Sequence, residues 1–218
     1  MNHLLEAIGR SAFRSLFIDF EGHVDLVASE WGPIPAGWEF RNLGDCLSVI
    51  ETGNRPAGGV KDINVGIPSI GAESVVGIGR YNFDKTKYVP ESFYLAMRRG
   101  KLQDYDVLLY KDGGRPGQFE PHVSLFGDGF PYKVMCINEH VYRVRTRPPL
   151  SQAYLFFWMS SPLIMEEMRR RGTGVAIPGL NSTAVKELPC LVPSQDALEK
   201  FDNLAWPLIR RIPLNSLG

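Results

Sequence analysis

The run Gly32–Pro56, GPIPAGWEFRNLGDCLSVIETGNRP, decides how this chain is read. Between Trp31 and Trp38, two prolines and two glycines fall within eight residues. Proline lacks the N–H that a helix interior needs and its ring clashes one turn back, so the stretch must run extended and turn. Trp31 and Trp38 bracket it and are expected to anchor it to the core. FRNLGDCLSVI (40–50) follows as a short strand-like run. At Glu51 it gives way to ETGNRPAGGVKDINVG (51–66), a long glycine-rich loop.

The same alternation of short strands and long loops continues to Arg147. YDVLLY (105–110) and HVYRVRT (140–146) predict strands. GIGRYNFDKTKYVP (77–90) and KDGGRPGQFEPHVSLFGDG (111–129) are loops of a length that compact domains keep for function. A short helix is expected in PESFYLAMRRG (90–100), with Pro90 near its start. Outside this region the period changes. Leu4, Leu5, Ile8, Ala12, Leu16, Phe17 and Phe20 form one stripe and predict an N-terminal helix that Gly22 ends. Tyr154, Leu155, Trp158, Leu163 and Met168 give residues 151–171 an apolar helical face, broken at Pro162. VKELPCLVP (185–193) predicts a last strand. Leu198, Phe201, Leu204, Ala205, Leu208 and Ile212 mark a final helix, capped by Ser194 or Asp196, that Pro207 is expected to kink or end early. The fold class is α+β: a mixed α/β globule over 22–193 with short flanking helices in 1–21 and 194–218, lying near each other and projecting from it.

Composition narrows the function. Lys plus Arg and Asp plus Glu each total 24, so the formal net charge is zero, which argues against a histone-like binder. The charge is segregated, however: bases dominate RRGK, YRVRTRP, MRRRG and LIRRI, and a groove feels the local field. No apolar run is long enough to span a bilayer, so no membrane partner is expected, and the N-terminus lacks signal-peptide architecture. Cys46, Cys136 and Cys190 form no CxxC pair and are expected to be buried thiols in a reducing cytoplasm.

Enzyme signatures are missing. Leu95 stands where a GxxxxGK loop needs its first glycine, and GIGRYN has no third glycine in register. RPPL (147–150) lacks the acid or amide and the aromatic of an amino-methyltransferase signature. His3, His23, His122 and His140 show no metal spacing. Asp104 and Asp106 flank Tyr105 at the start of a strand rather than forming an acid pair. No catalytic residue, metal or cofactor is expected.

The loops carry the residues that read duplex DNA. Arg and Lys neutralise phosphate, Arg donates two bonds to guanine, and Asn or Gln pairs with adenine. The three loops supply Asn54, Arg55 and Lys61, then Arg80 and Lys85, then Lys111, Arg115 and Gln118. Any one of them alone reads as solvated surface; three of the same kind point to a DNA face. Arg55 and Arg115 are the expected base readers, and Lys61 and Lys85 the expected phosphate contacts. The basic run at Arg169–Gly172 reads instead as a solvated helix end, where cations suit the dipole.

In this order the motifs resemble the target-recognition domain of Type I restriction–modification specificity subunits. GPIPAGWEFRNLGDCLSVIETGNRP resembles the family's "IP-x-GW" step, strand and "TG-x-x-P" loop, and VGIPSIGAESV its "IP-x-I" strand. KLQDYDVLLYKDGGRPG resembles its "GD-hydrophobic-L" strand, with Tyr105 where the family usually has Gly. GTGVAIPGLNSTAVKELPCLVPS resembles the closing segment. LLEAIGRSAFRSLFIDFEG and LEKFDNLAWPLIRRI are similar to the flanking helices, so 1–21 would be a remnant of one long helix and 194–218 the start of another.

A full member has two such domains, so the chain resembles a half-subunit or a C-terminal half. The resemblance implies a cytoplasmic, non-catalytic specificity subunit of a DNA methylation complex, with double-stranded DNA, methyltransferase (modification) subunits and, in the larger assembly, a restriction subunit as partners. Methyl transfer from S-adenosylmethionine would occur on those partners. The stripe residues Leu5, Leu16, Phe17 and Phe20 are expected to face outward and dock a helix of a second copy or of a methyltransferase subunit. The alternatives are a diverged DNA methyltransferase or nuclease, and a protein-interaction domain that has lost DNA binding.

Overall fold

Helix α1 (Asn2–Phe17) turns a line spaced by four, Leu5, Gly9, Phe13 and Phe17, toward the rest of the chain in the computed structural model. The structure describes residues 2–71, 74, 77–78, 83–113, 118–127, 132, 134–172 and 178–214. Phe13 and Phe17 are 3% and 1% exposed, whereas Leu4 and Ile8 of the predicted stripe are 61% and 42% exposed. Gly9 explains the shift of face. A Cβ there would lie 2.6 Å from the Phe157 ring, so glycine lets α1 close on the helix beneath it. Hydropathy does not register a glycine as a core position.

That helix is α3 (Gln152–Met159), buried from Ala153 to Met159. A helix apolar all round belongs inside a protein, and here it lies at the centre of the main hydrophobic cluster. Its polar atoms have destinations. Ser151 accepts from the Tyr154 N–H and donates to Asp202; the Tyr154 hydroxyl donates to Leu191 O at 2.7 Å, and Trp158 Nε1 to Pro189 O at 2.9 Å. Helix α4 (Pro162–Gly172) starts at the predicted break, and α5 (Ser182–Lys186) is capped by Asn181.

Helix α6 (Gln195–Leu214) buries Leu198, Phe201, Ala205, Ile209 and Ile212 and packs on α1 and α3. Phe13 and Phe17 each meet Phe201 at 5.4 Å between ring centroids. Two expectations need correction. Pro207 neither ends α6 nor shortens it, because the continuous buried face on both sides holds the helix together. The terminal helices do lie side by side, but they share the globule's core rather than projecting from it, since α1 and α6 both close on α3.

The predicted runs form strands, one of them divided, and further strands form at 87–89 and 122–125, within stretches read as loops. The run at 40–50 splits into β3 (Glu39–Asn42) and β4 (Leu47–Thr52) around a 3-10 turn at Leu43–Cys46; β1 (Leu26–Val27) and β2 (Ile34–Pro35) precede it. Strands β5 (Ile67–Ile70), β6 (Lys87–Val89), β7 (Val107–Tyr110), β8 (His122–Leu125), β9 (Cys136–Ile137), β10 (Val141–Thr146) and β11 (Pro189–Val192) complete the set, with α2 (Glu91–Ala96) after β6. The largest sheet is antiparallel in the order β4-β10-β7-β8. A second has the order β6-β5-β9, while β11 pairs β3 and β1 pairs β2. All three cysteines are free and buried, and burial pushes the Cys136 thiol up to about 11. Among the described residues no helix is long and apolar enough to cross a membrane.

Candidate nucleic-acid interface

Register brings two of the predicted loops together. Strand β10 lies between β4 and β7, and its first residues pair with their last: Tyr142 opposite Thr52, and Val141 opposite Tyr110. The loop after β4, the residues after β7 and the turn before β10 therefore leave the sheet at one end. The Gly53 N–H donates to Asn138 O and the Lys111 N–H to His140 O.

A chain of charges joins Arg55 to Lys111 there. Arg55 Nη2 lies 3.0 Å from Glu139 Oε1, which lies 3.3 Å from His140 Nε2. His140 Nδ1 is 2.8 Å from Asp112 Oδ1, and Lys111 Nζ is 2.6 Å from Asp112 Oδ2 and stands over the Tyr142 ring. The Arg55 and Glu139 side chains are 39% and 41% exposed. A pair so exposed adds little to stability; its consequence is geometric, because it orients the guanidinium. His140 is thus a hydrogen-bonded histidine held between two carboxylates. Sequence reasoning found the two cations and missed the acids between them.

The other predicted contacts are placed as follows. Asn54 is exposed and borders a cleft of about 400 Å³ that Phe93, Ala96, Met97, Arg98 and Arg99 also line. Lys61, Lys85 and Gln118 are exposed and make no ion pair among the described residues. Arg80 and Arg115 lie outside the described residues. The predicted docking residues Leu5, Leu16, Phe17 and Phe20 are a correction: all four pack against the chain's own core, the first three because Gly9 turns that face of α1 inward and Phe20 against Trp38. On α1 it is Leu4 and Ile8 that stay open.

A buried network runs from the opposite end of the sheet, at Asp106, through Arg143 to Glu51 near the site. Asp106, fully buried just before β7, accepts from Arg143 Nε, from Arg145 Nη1 at 2.6 Å and from the Gln103 N–H at 2.7 Å. Burial pushes its carboxyl above the ordinary value, against the pull of those donors. Arg143 also donates to Glu51 Oε1 at 2.8 Å, which accepts the Gly100 N–H at 2.9 Å. The Arg169–Arg171 run at the end of α4 is neutralised: Arg169 pairs with Glu120 and Glu166, Arg170 with Glu167, and Arg171 with Glu167 and Glu187. The Arg169 hydrogen bond holds the Glu120 carboxyl below its usual range.

No family model matches the chain. It is 25% identical over 221 residues to the Type I restriction enzyme MjaIX specificity subunit of Methanocaldococcus jannaschii, an alignment that takes in 97% of this chain and 48% of that protein. The likeness is to half of a Type I specificity subunit.

The chain thus spans about half the length of the curated relative it matches. Solved specificity subunits share the fold. The HsdS subunit of Thermoanaerobacter tengcongensis aligns over 100% of this chain and 46% of its own, with TM-score 0.51 and 14% identity. The Type I S subunit from M. genitalium aligns over 98% and 48%, with TM-score 0.52 and 11% identity. A chain from a structural study of complex assembly and conformational transition of the type I R-M system aligns over 99% and 48%, with TM-score 0.54 and 12% identity. The specificity-subunit likeness therefore takes in α1 and α6 as well as the strands and loops between them.

Proposed function

We propose that this chain is a sequence-specific DNA-recognition module of a Type I restriction–modification complex, one that directs methyltransferase and restriction subunits to their target in the cytoplasm. The observation that carries the reading is the end-to-end match to half of a specificity subunit. The gathering of Arg55, Lys111 and Asn54 in the loops after β4 and β7, the strands that flank β10, supports a DNA face there. Residues 22–193 are the recognition domain, and the flanking segments belong to the helices that hold such domains apart. The module supplies target choice, while S-adenosylmethionine and the methyl-transfer chemistry belong to the partner subunit. A partner helix meeting α1 would find Leu4 and Ile8, with Leu204 of α6 exposed as well.

Within the assembled methyltransferase the two kinds of DNA contact separate by substitution. Arg55→Ala is expected to cost about 1–3 kcal/mol on the cognate site and to relax specificity at one base pair. Lys61→Ala is expected to weaken all sequences alike and to lower the salt slope by about one. Binding titrations on cognate and scrambled duplexes over a salt series test both. Equal loss on both duplexes for Arg55→Ala would remove it from base reading.

A further inference from the structure

One run of adjacent arginines in this chain is neutralised. Each member of the Arg169–Arg171 run has a glutamate partner. Arg98 and Arg99, directly after α2, have neither a carboxylate nor a backbone acceptor among the described residues, and both are exposed. The neighbouring Lys101 is pinned, with Nζ 3.3 Å from Leu95 O and 4.8 Å from the Tyr94 ring centroid. Two guanidinium groups on consecutive residues therefore have no counter-charge among the described residues. They share a cleft of about 400 Å³ with Asn54, an amide that can donate two bonds. Among the described residues no acidic side chain lines that cleft, and Phe93, Ala96 and Met97 give it apolar walls that strengthen the field of a cation.

The cleft is held by the backbone. A Cβ on Gly53 would lie 1.5 Å from Ile137 O, and one on Gly100, at φ +80°, would lie 2.6 Å from Gly53 Cα. Only glycines allow residues 53, 100 and 137 to stack this closely, and the stack sets Asn54 beside the arginine pair.

We infer that Arg98, Arg99 and Asn54 form a phosphate clamp that grips the backbone of duplex DNA next to the Arg55–Lys111 face. This assignment rests on the recognition reading and adds to it two cations outside the three glycine-rich loops. Anion binding relieves the repulsion between the two cations, and a phosphodiester supplies acceptors for both guanidinium groups and the amide.

The test is a salt titration of the full 218-residue chain on a fluorescent duplex, begun at low ionic strength. Arg98→Ala and Arg99→Ala are each expected to lower the slope of log affinity against log salt by about one, and the double variant by about two. The double replacement by lysine should recover most of the slope, because charge rather than shape sets it. Arg211→Ala, which removes an exposed cation of α6, should leave the slope unchanged. All five variants alter exposed side chains and should melt with the wild type. Binding by the wild type with an unchanged slope in the double alanine variant would overturn the clamp alone. So would an equal drop for Arg211→Ala, which would make the effect one of total charge. A wild-type chain that shows no salt-dependent binding would remove the clamp and the recognition reading together.

Discussion

Replacing Asp106 with alanine is expected to cost about 3–5 kcal/mol of folding stability, the loss typical of removing one partner from a buried ion pair. Asp106 has no exposure, and the Arg143 side chain is 8% exposed. Without the carboxylate, Arg143 and Arg145 lose the acceptor that compensates their desolvation, although Arg143 keeps Glu51. Urea denaturation measures the loss. Adding Arg143→Met to Asp106→Ala should recover part of it, because the stranded charge leaves as well. The site should respond too. Arg143 steadies Glu51, and Glu51 holds the Gly100 N–H behind the arginine cleft. A loss below about 1 kcal/mol, the range of an exposed pair, would contradict the buried role.

Phe17→Ala is expected to cost about 3–5 kcal/mol with no change in oligomeric state. Phe17 is 1% exposed among Phe13, Trp38, Tyr154 and Phe201, so truncation leaves a cavity within one chain. Leu4→Ala, at an exposed position of the same helix, should change stability by no more than about 0.5 kcal/mol. Denaturation and sedimentation of both variants decide the matter. A Phe17→Ala chain with wild-type stability but altered association would restore the expectation that this face docks a partner.

Much of this was legible in the sequence, and the failures have physical causes. Hydrophobic period and turn residues marked α1, β4, β7, β10, α3 and α6, because those signals are local. The inward face of α1 was misread because Gly9 contributes to it by what it lacks. The acids between Arg55 and Lys111 were invisible because Asp112 and His140 are 28 positions apart, and only the β7–β10 register joins them. The basic run at Arg98–Lys101 was noticed, yet nothing local distinguishes its free cations from the paired ones of Arg169–Arg171. Tyr105 is instructive in another way. It stands where the family usually has glycine, and it adopts φ +64°, the left-handed region that glycine enters freely. The strain, about 1–3 kcal/mol for such a residue, is set against two contacts, one of the side chain and one of the backbone. Its ring packs edge-on against Trp206 of α6 at 4.7 Å, and its N–H donates to Phe126 O.

As a recognition module, this chain is expected to choose a DNA sequence for a methyltransferase. The most direct measurement maps methylated bases across the genome of cells that carry the cognate methyltransferase subunit, with and without this chain. The expected result is one recurrent sequence methylated only when the chain is present, with relaxed methylation at one of its positions in the Arg55→Ala strain. The same methylation pattern with and without the chain would contradict it.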